Sequence, residues 1–409
     1  MAADAPKSSP ALAVVLFTIL LDGMGVGIMI PVLPELMLDV LPRADLATAT
    51  LWGGVLSTVF AVMQFLFSPA LGSLSDARGR KPVLLISLFV MVFYYLVMAL
   101  ATSIWVLLAG RIVGGITAAT QSTASAYVAD ISRPDQKAAR FGYIGAAFGM
   151  GFVLGPVLGG LLGEWGARAP FYAAALLAAL NFVVCAIYLT ESIAKEDRKP
   201  FQSRSINPFA AIVDIGRFSG LRVLLIVFLL FSIGTSVYAA IWPFFTLERF
   251  GWSPAMIGVS LTVYGLSSAV VQSVLIRPTI ARIGERHTVT LGLATEIIAL
   301  ALVASIANQW IVLALTPVAA FGSIATAAIR SLMSGAVDPH SQGKLQGVLS
   351  ALMAVAMIVT PLTMSALFYA FSGPQAMFYF PGAPFLVSAL LVVISLGLFL
   401  RAYGAAPRH

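Results

Sequence analysis

The chain has 409 residues, of which 60% are hydrophobic and only 10% are charged. Soluble domains carry about 25% charged residues, so this composition excludes a water-soluble protein and indicates an integral membrane protein. The formal net charge of +7 does not indicate a nucleic-acid partner, because the basic residues are scattered singly between apolar runs.

The apolar runs are about twenty residues long and lack the period-two alternation of barrel strands, so we predict an all-α fold. Tight gaps at 102–103 and at 308 separate neighbouring spans, since a merged span would be too long for one crossing. The twelve predicted spans lie near residues 11–34, 50–72, 82–101, 104–128, 139–163, 169–190, 221–246, 254–276, 287–307, 309–334, 346–370 and 378–401.

Lys and Arg residues predict the orientation of these spans. With the N-terminus in the cytoplasm, nineteen of them lie on the inner side and three on the outer side. This asymmetry is the one that orients membrane proteins, and it places both termini in the cytoplasm.

A polar connector at residues 191–220 divides the chain into two six-span bundles, residues 1–190 and 221–409. At an offset of 205 residues the halves resemble each other, with matches of Gly79 to Gly284, Gly142 to Gly347 and Pro156 to Pro361. Parallel repeats of this kind are one architecture that secondary transporters use for alternating access.

Residues 72–85 concentrate charge in the loop after the second span. This loop resembles the signature G-x-L-x-D-x-x-G-R-K/R-x-x-L of the major facilitator superfamily, matched by Gly72, Leu74, Asp76, Gly79, Arg80, Lys81 and Leu84. The family's helix 4 pattern appears as Arg111 and Gly115. Its helix 5 signature, typical of drug/proton antiporters, is matched by Gly151, Gly155, Pro156, Gly159 and Gly160.

The first span, from Leu20 to Pro34, resembles the start of the bacterial tetracycline/proton antiporters, and Gln64, Gln272 and Glu296 extend the likeness. Two positions depart from that pattern. The subfamily has an acid followed by Tyr in helix 3, where this chain has Tyr94-Tyr95, and a His in helix 8, where it has Ser268. Both positions belong to the subfamily's route for a cationic metal-drug chelate, so the departures bear on which substrate is carried.

Charges inside spans cost about 2.5–3.5 kcal/mol each at a helix centre, so they mark functional sites. We predict Asp22 and Glu296, both near the middle of their spans, as proton sites, because a buried carboxyl is neutral when closed off and ionises when water or a cation reaches it. The alternative for each is a neutral acid that bonds a neighbouring helix. Arg111 keeps its charge, so it can only partner a nearby acid or hold an anionic substrate. The resemblance favours a place in the proton relay, as partner of Asp22 and Glu296, and a snorkelling arginine is the alternative.

Aromatic and polar side chains within spans are the candidates for a substrate cavity. We predict substrate contacts from Gln64, Tyr94, Gln121, Tyr238, Trp242, Tyr264, Gln272 and Arg330, with plain helix packing as the alternative. Gating is predicted for the loop residues Gly72, Asp76, Gly79, Arg80 and Lys81, with Asp76 contacting the other half. It is also predicted for the small face of helix 5, formed by Gly151, Gly155, Pro156 and Gly159, whose alternative role is packing.

The sequence thus favours a proton-coupled exporter of an amphipathic organic compound in a bacterial cytoplasmic membrane. The alternatives are a symporter or facilitator that imports a metabolite, and a membrane protein that kept the fold without transporting. No nucleotide-binding loop or catalytic triad is apparent, so we expect no enzyme activity. We also expect no metal site, no cofactor besides the proton gradient, and a monomer.

Overall fold

The computed structural model describes residues 8–118, 120–198, 200–201, 207–209 and 214–403. The termini and parts of the predicted linker, residues 199, 202–206 and 210–213, lie outside these ranges. All regular structure in the described residues is helical, which confirms the all-α fold. The α-helices are α1 (Ser8–Met29), α2 (Leu33–Val40), α3 (Leu46–Arg78), α4 (Arg80–Leu100), α5 (Ile104–Thr117), α6 (Thr120–Asp130), α7 (Lys137–Gly163), α8 (Ala169–Tyr188), α9 (Arg222–Thr235), α10 (Val237–Phe250), α11 (Pro254–Val270), α12 (Ile276–Ser305), α13 (Gln309–Gly322), α14 (Ile324–Gly335), α15 (Gln342–Ser372) and α16 (Ala383–Tyr403).

Eleven helical runs in the described part of the chain are long and apolar enough to cross a membrane. The sequence predicted twelve. The difference lies in Pro254–Ser305, a run of 52 residues that covers the predicted span 254–276 and all but the last two residues of the predicted span 287–307. Gly284 inside this run is non-helical, with φ 77° and ψ 163°. A straight helix of that length would measure about 78 Å, more than twice the hydrocarbon core of about 30 Å.

Backbone features recur at the predicted offset of 205 residues. Gly79, between α3 and α4, has φ 104° and ψ 156°, close to the conformation of Gly284. Ser103 caps the start of α5, where its hydroxyl accepts a hydrogen bond from the Val106 amide, and Asn308 caps α13 in the same way. These caps occupy the tight gaps predicted at 102–103 and 308.

Four predicted spans are interrupted where the sequence predicted continuous helices. The first changes to a 3₁₀ turn at Ile30–Val32, and α5 ends at Thr117 before α6 begins at Thr120. Ser236 separates α9 from α10, and Ser323 separates α13 from α14. Hydropathy does not change across such breaks. Helix breaks are favoured where a Ser or Thr hydroxyl donates to a carbonyl one turn back. The Ser236 hydroxyl donates in this way to the Ser232 carbonyl at 2.7 Å.

The chain forms two compact units. The first comprises the described residues within Met1–Val40, Val59–Pro208 and Ser253–Val259. Here α1 packs along α7, and the core includes Val15, Ile19, Leu88, Tyr127 and Ile144. The helix α8 turns an apolar face outward, with Leu180 52% exposed, as expected of a helix in contact with lipid.

The second unit comprises the described residues within Leu41–Thr58, Phe209–Trp252 and Ser260–His409. Its core is aromatic, with the rings of Phe245 and Phe385 4.7 Å apart. Residues 41–58 belong here because they pack on α15, where the Thr58 hydroxyl donates to the Ile358 carbonyl at 3.0 Å. The division of the sequence at 190 and 221 stays a prediction.

Candidate functional site

Arg111 is a buried cation in the first unit. It lies on α5, is 7% exposed, and its guanidinium carbon is 5.7 Å from the centre of the Phe60 ring and 5.9 Å from that of Tyr94. Its Nε has no hydrogen-bond partner among the described residues. The π faces of two rings therefore stabilise the guanidinium charge, and the Nε–H can donate to a ligand.

Asp22 lies on α1 near Tyr95, the residue that follows Tyr94 in α4. Its carboxyl and the Tyr95 ring line a small cavity in the first unit. The absence of a side chain at Gly25 makes room for the Tyr95 hydroxyl, which a Cβ at that position would displace. The rings of Tyr94 and Tyr95 are 5.2 Å apart. Asp22 and Arg111 thus share the tyrosine pair, but no ion pair joins them in the described part of the unit.

Glu296 is the buried carboxyl of the second unit. It lies on α12, is 2% exposed, and packs against Gly322, where an added Cβ would overlap the carboxyl group. Tyr238 and Tyr264 are close enough for their hydroxyls to interact with its charge. Glu296 Oε1, Tyr238 Oη and Ser268 Oγ are all buried without a hydrogen-bond partner of good geometry in the described residues.

Aromatic rings surround the Glu296 cluster. The ring of Tyr238 lies 5.9 Å from Trp242, 6.1 Å from Tyr264 and 5.7 Å from Phe385, measured between centres. The Trp242 Nε1 donates to Ser260 Oγ at 2.9 Å, which fixes the indole. Three predicted substrate residues, Tyr238, Trp242 and Tyr264, are therefore brought together around the predicted proton site Glu296.

Tyr94 lies against Arg111 in the first unit, and the remaining predicted substrate residues are not part of either cluster. Gln64, Gln121 and Gln272 are exposed, and no hydrogen bond in the described ranges joins them to Arg111 or Glu296. Gln272 lies in a π-helical turn, Val271–Leu275, a distortion that often marks functional sites. Arg330 is also exposed, and its guanidinium lies 5.4 Å from the Phe228 ring centre.

The predicted gating loop is organised around Arg80, which is 9% exposed. Its guanidinium contacts Asp76 at 2.5 Å, Asp130 at 3.0 Å and the Ser75 hydroxyl at 2.6 Å. Asp76 is thus paired inside the first unit with Arg80. Gly72 has open space where a Cβ would be, whereas Gly79 adopts a positive φ that disfavours other residues.

Glu191, three residues beyond the C-terminal end of α8, completes this network. Its carboxylate accepts hydrogen bonds from the backbone amides of Arg80 (2.8 Å) and Lys81 (3.3 Å), the first residues of α4. The Lys81 ammonium donates to the Ala186 carbonyl at 3.0 Å. A carboxylate at a helix N-terminus satisfies free amides and complements the helix dipole.

The glycine face of α7 packs on α1. Side chains added at Gly151, Gly155 or Gly159 would strike backbone atoms of Leu20, Met24 or Ile28. Pro156 lies inside α7 beside Gly27. This contact supports the packing role, and a hinge role for the same residues stays a prediction.

Several partners of these residues were not predicted. Ser75, Asp130 and Glu191 hold Arg80, Gly322 admits Glu296, and Asn181 lines the cavity beside Asp22. Charge complementarity to the basic loop could have indicated Asp130 and Glu191, which follow directly on predicted spans. No sequence signal marks the pairing of Gly322 with Glu296.

Buried charges inside apolar helices, without an ion-pair partner among the described residues, are typical of helical membrane transporters. The family model of the Major Facilitator Superfamily matches residues 15–245 and 223–405. The tetracycline resistance protein, class C, of Escherichia coli is 40% identical over 89% of this chain and 91% of its own length. The class G protein of Vibrio anguillarum is 36% identical over 94% and 96%. The chain therefore belongs to the major facilitator superfamily, among relatives of the tetracycline resistance proteins.

Solved structures agree with this assignment at the level of the fold. The human organic anion transporter MFSD10 (TETRAN) superposes with a TM-score of 0.69 and 24% identity, covering 97% of this chain and all of its own. The nucleoside transporter NupG gives a TM-score of 0.75 at 13% identity, over 97% of this chain and 99% of its own.

Proposed function

We propose that this protein is a proton-coupled antiporter that exports an amphipathic organic compound across the bacterial cytoplasmic membrane by alternating access. The observation that carries the proposal is Glu296, a buried carboxyl beside Tyr238 whose Oε1 makes no hydrogen bond of good geometry among the described residues. A carboxyl in that position is costly unless it is neutral or receives a ligand. Family membership and relatives named for tetracycline resistance point to the same activity.

The proton sites in this proposal are Asp22 and Glu296, one in each unit. Arg111 supports the first through the shared tyrosine pair, since it lies against Tyr94 while Asp22 lies beside Tyr95. Exchange of a proton for substrate requires that both compete for the same carboxyl or for the same conformational state. The unpartnered Nε of Arg111 leaves a donor for that exchange.

Substrate contacts are proposed mainly for the aromatic cluster of the second unit. Tyr238, Trp242 and Tyr264 offer ring faces and hydroxyls beside a carboxyl, which suits an amphipathic molecule with aromatic and polar parts. Tyr94, Gln64, Gln121, Gln272 and Arg330 complete the proposed set. Tetracycline is the first probe, although Tyr94 and Ser268 replace residues of the tetracycline antiporter pattern.

The proposed topology has twelve crossings with both termini in the cytoplasm. Non-helical Gly284 supports two crossings within Pro254–Ser305, because it divides a run too long for one. The bundles are proposed at 1–190 and 221–409, joined by a cytoplasmic linker at 191–220. The loop of Gly72, Asp76, Gly79, Arg80 and Lys81 and the glycine face of α7 are proposed to change contacts as access alternates. We expect a monomer that needs no cofactor.

The proposal predicts that Asp22→Asn and Glu296→Gln abolish proton-driven transport. Each replacement keeps the shape of the side chain but removes the proton it exchanges. Uptake of tetracycline into everted membrane vesicles with an acidic interior is the measurement, with thermal-shift binding of tetracycline as a separate readout.

Asp135→Asn is the matched control, because this carboxyl is 67% exposed and, within the described part of the chain, its ion pair is with exposed Arg133. The control should accumulate tetracycline like the parent protein. Undiminished gradient-driven uptake by both Asp22→Asn and Glu296→Gln would contradict the proposal.

A further inference from the structure

Asn181 is a buried polar residue in the apolar helix α8, next to the predicted proton site. It is 2% exposed, and four residues later Cys185 is fully buried. On the facing helix, Thr18 and Asp22 have the same spacing of four, which places them on one side of α1. The pair Asn181 and Cys185 on α8 therefore faces the pair Thr18 and Asp22 on α1 within the first unit.

Thr18 holds one end of the Asn181 amide. The Thr18 hydroxyl lies 3.0 Å from Asn181 Oδ1, 3.0 Å from the Val14 carbonyl oxygen and 3.1 Å from Cys185 Sγ. A side-chain amide has a second polar end. Asn181 also lines the cavity that contains Asp22, so its amide connects the Thr18 contact to that cavity.

The cavity is small and has three polar walls. Its volume is about 20 Å³, and its lining residues include the polar residues Asp22, Asn181 and Tyr95, with Ala178 among the apolar ones. A site needs roughly 10–15 Å³ and two to four polar partners to hold a water molecule. The cavity has room for one water molecule, and three of its lining residues carry polar side chains, so both conditions are met.

The charged and titratable groups near Asp22 come from three neighbouring helices. The helix α4 contributes Tyr95, with Arg111 of α5 close enough to act on that phenol, and α8 contributes Cys185 beyond Asn181. The helix α7 presents the backbone of Phe148 and Phe152 to Gly23. Asn181 also lies beside Asp22, but its amide carries no charge and does not titrate.

We propose that this cavity binds one water molecule between Asp22, Asn181 and Tyr95, and that Asn181 is a positioning residue of the proton site. The inference rests on the proposed function, since it concerns proton binding by Asp22. A water held by a neutral amide donates to the ionised carboxylate and accepts from the protonated carboxyl. When a hydronium ion delivers its proton to Asp22, the product is the carboxylic acid and the water that stays bound.

Infrared difference spectroscopy of the protein in liposomes, between alkaline and acidic buffer, tests this without any substrate. The carbonyl stretch of protonated Asp22 is the band that Asp22→Asn removes. Asn181→Leu should shift that band to higher frequency, because the carboxyl loses a hydrogen-bonded water. Ala178→Val, which fills the cavity and leaves Asn181 in place, should shift it in the same direction.

Leu180→Ala, on the outward side of α8, is the matched control and should leave the band unchanged. Asn181→Ser, which keeps a polar group and leaves space for water, should restore the parent frequency. A band that Asp22→Asn removes, but that neither Asn181→Leu nor Ala178→Val shifts, overturns the inference alone. If Asp22→Asn removes no carboxyl band, Asp22 is not a proton site, and that part of the proposed function is wrong.

Discussion

Arg111 shows how one residue changes the chemistry of a site in this protein. Its buried guanidinium faces the rings of Phe60 and Tyr94, and position 94 is where the tetracycline antiporter pattern has an acid. Desolvated cation–π contacts contribute about 2 kcal/mol. The rings of Phe60 and Tyr94 therefore stabilise the Arg111 cation without adding a negative charge. An anionic group on a ligand would meet less competition here than in a site with its own acid.

Gly322 offers a sharp test of the Glu296 site. In Gly322→Ala the new methyl group would overlap the Glu296 carboxyl, so this carboxyl must leave its present position near Tyr238 and Tyr264. We expect driven tetracycline uptake in everted vesicles to fall to background while the protein still reaches the membrane. Gly347→Ala is the control, since nothing lies within 4 Å of a Cβ there. Parent-like uptake by Gly322→Ala would show that the position of Glu296 is unimportant.

At the residue scale, charge was the informative signal in the sequence. Asp22, Arg111 and Glu296 were recognised because a charge within an apolar run is costly. Their neighbours were not, because Thr18, Asn181 and Gly322 are residue types that also serve ordinary helix packing. The contact of Thr18 with Asn181 spans 163 positions, and no local pattern encodes it.

At the element scale, close approach of α7 to α1 depends on glycine. Gly159 has no room for a methyl group against the Ile28 backbone, whereas Gly149, ten residues earlier on the same helix, has nothing within 4 Å. We expect Gly159→Ala to lower the free energy of unfolding by about 1–3 kcal/mol through overpacking. Gly149→Ala should be neutral or slightly stabilising, because alanine favours helices. Thermal unfolding in detergent measures both, and equal melting temperatures for the two variants would refute the packing role.

The length of the apolar runs predicted where helices lie, but it did not predict where those helices are interrupted. The caps at Ser103 and Asn308 fall in gaps that the sequence marked by polarity. The breaks at Ser236 and Ser323 fall inside continuous apolar runs, where a single small hydroxyl residue leaves hydropathy unchanged. Only contacts in three dimensions decide whether such a serine bends its helix.

At the scale of the whole molecule, the number of crossings follows from the side on which residues near Gly284 lie. The single native cysteine is buried, so new cysteines report labelling with little background. With twelve crossings, Ala194→Cys and Ala281→Cys react with an impermeant maleimide in everted vesicles and not in intact cells, whereas Arg43→Cys reacts in intact cells. Labelling of Ala281→Cys from the outside would contradict the proposed topology.

The cap that Glu191 places on α4 bears on how this transporter could be divided into separately expressed pieces. Glu191 is 111 positions from Arg80, yet it holds the first two amides of that helix. A first piece that stopped at residue 190 would contain every helix of the first bundle and still lack the acceptor at the start of α4. The smallest self-sufficient N-terminal gene fragment therefore ends beyond the last apolar residue, inside what composition alone marks as linker.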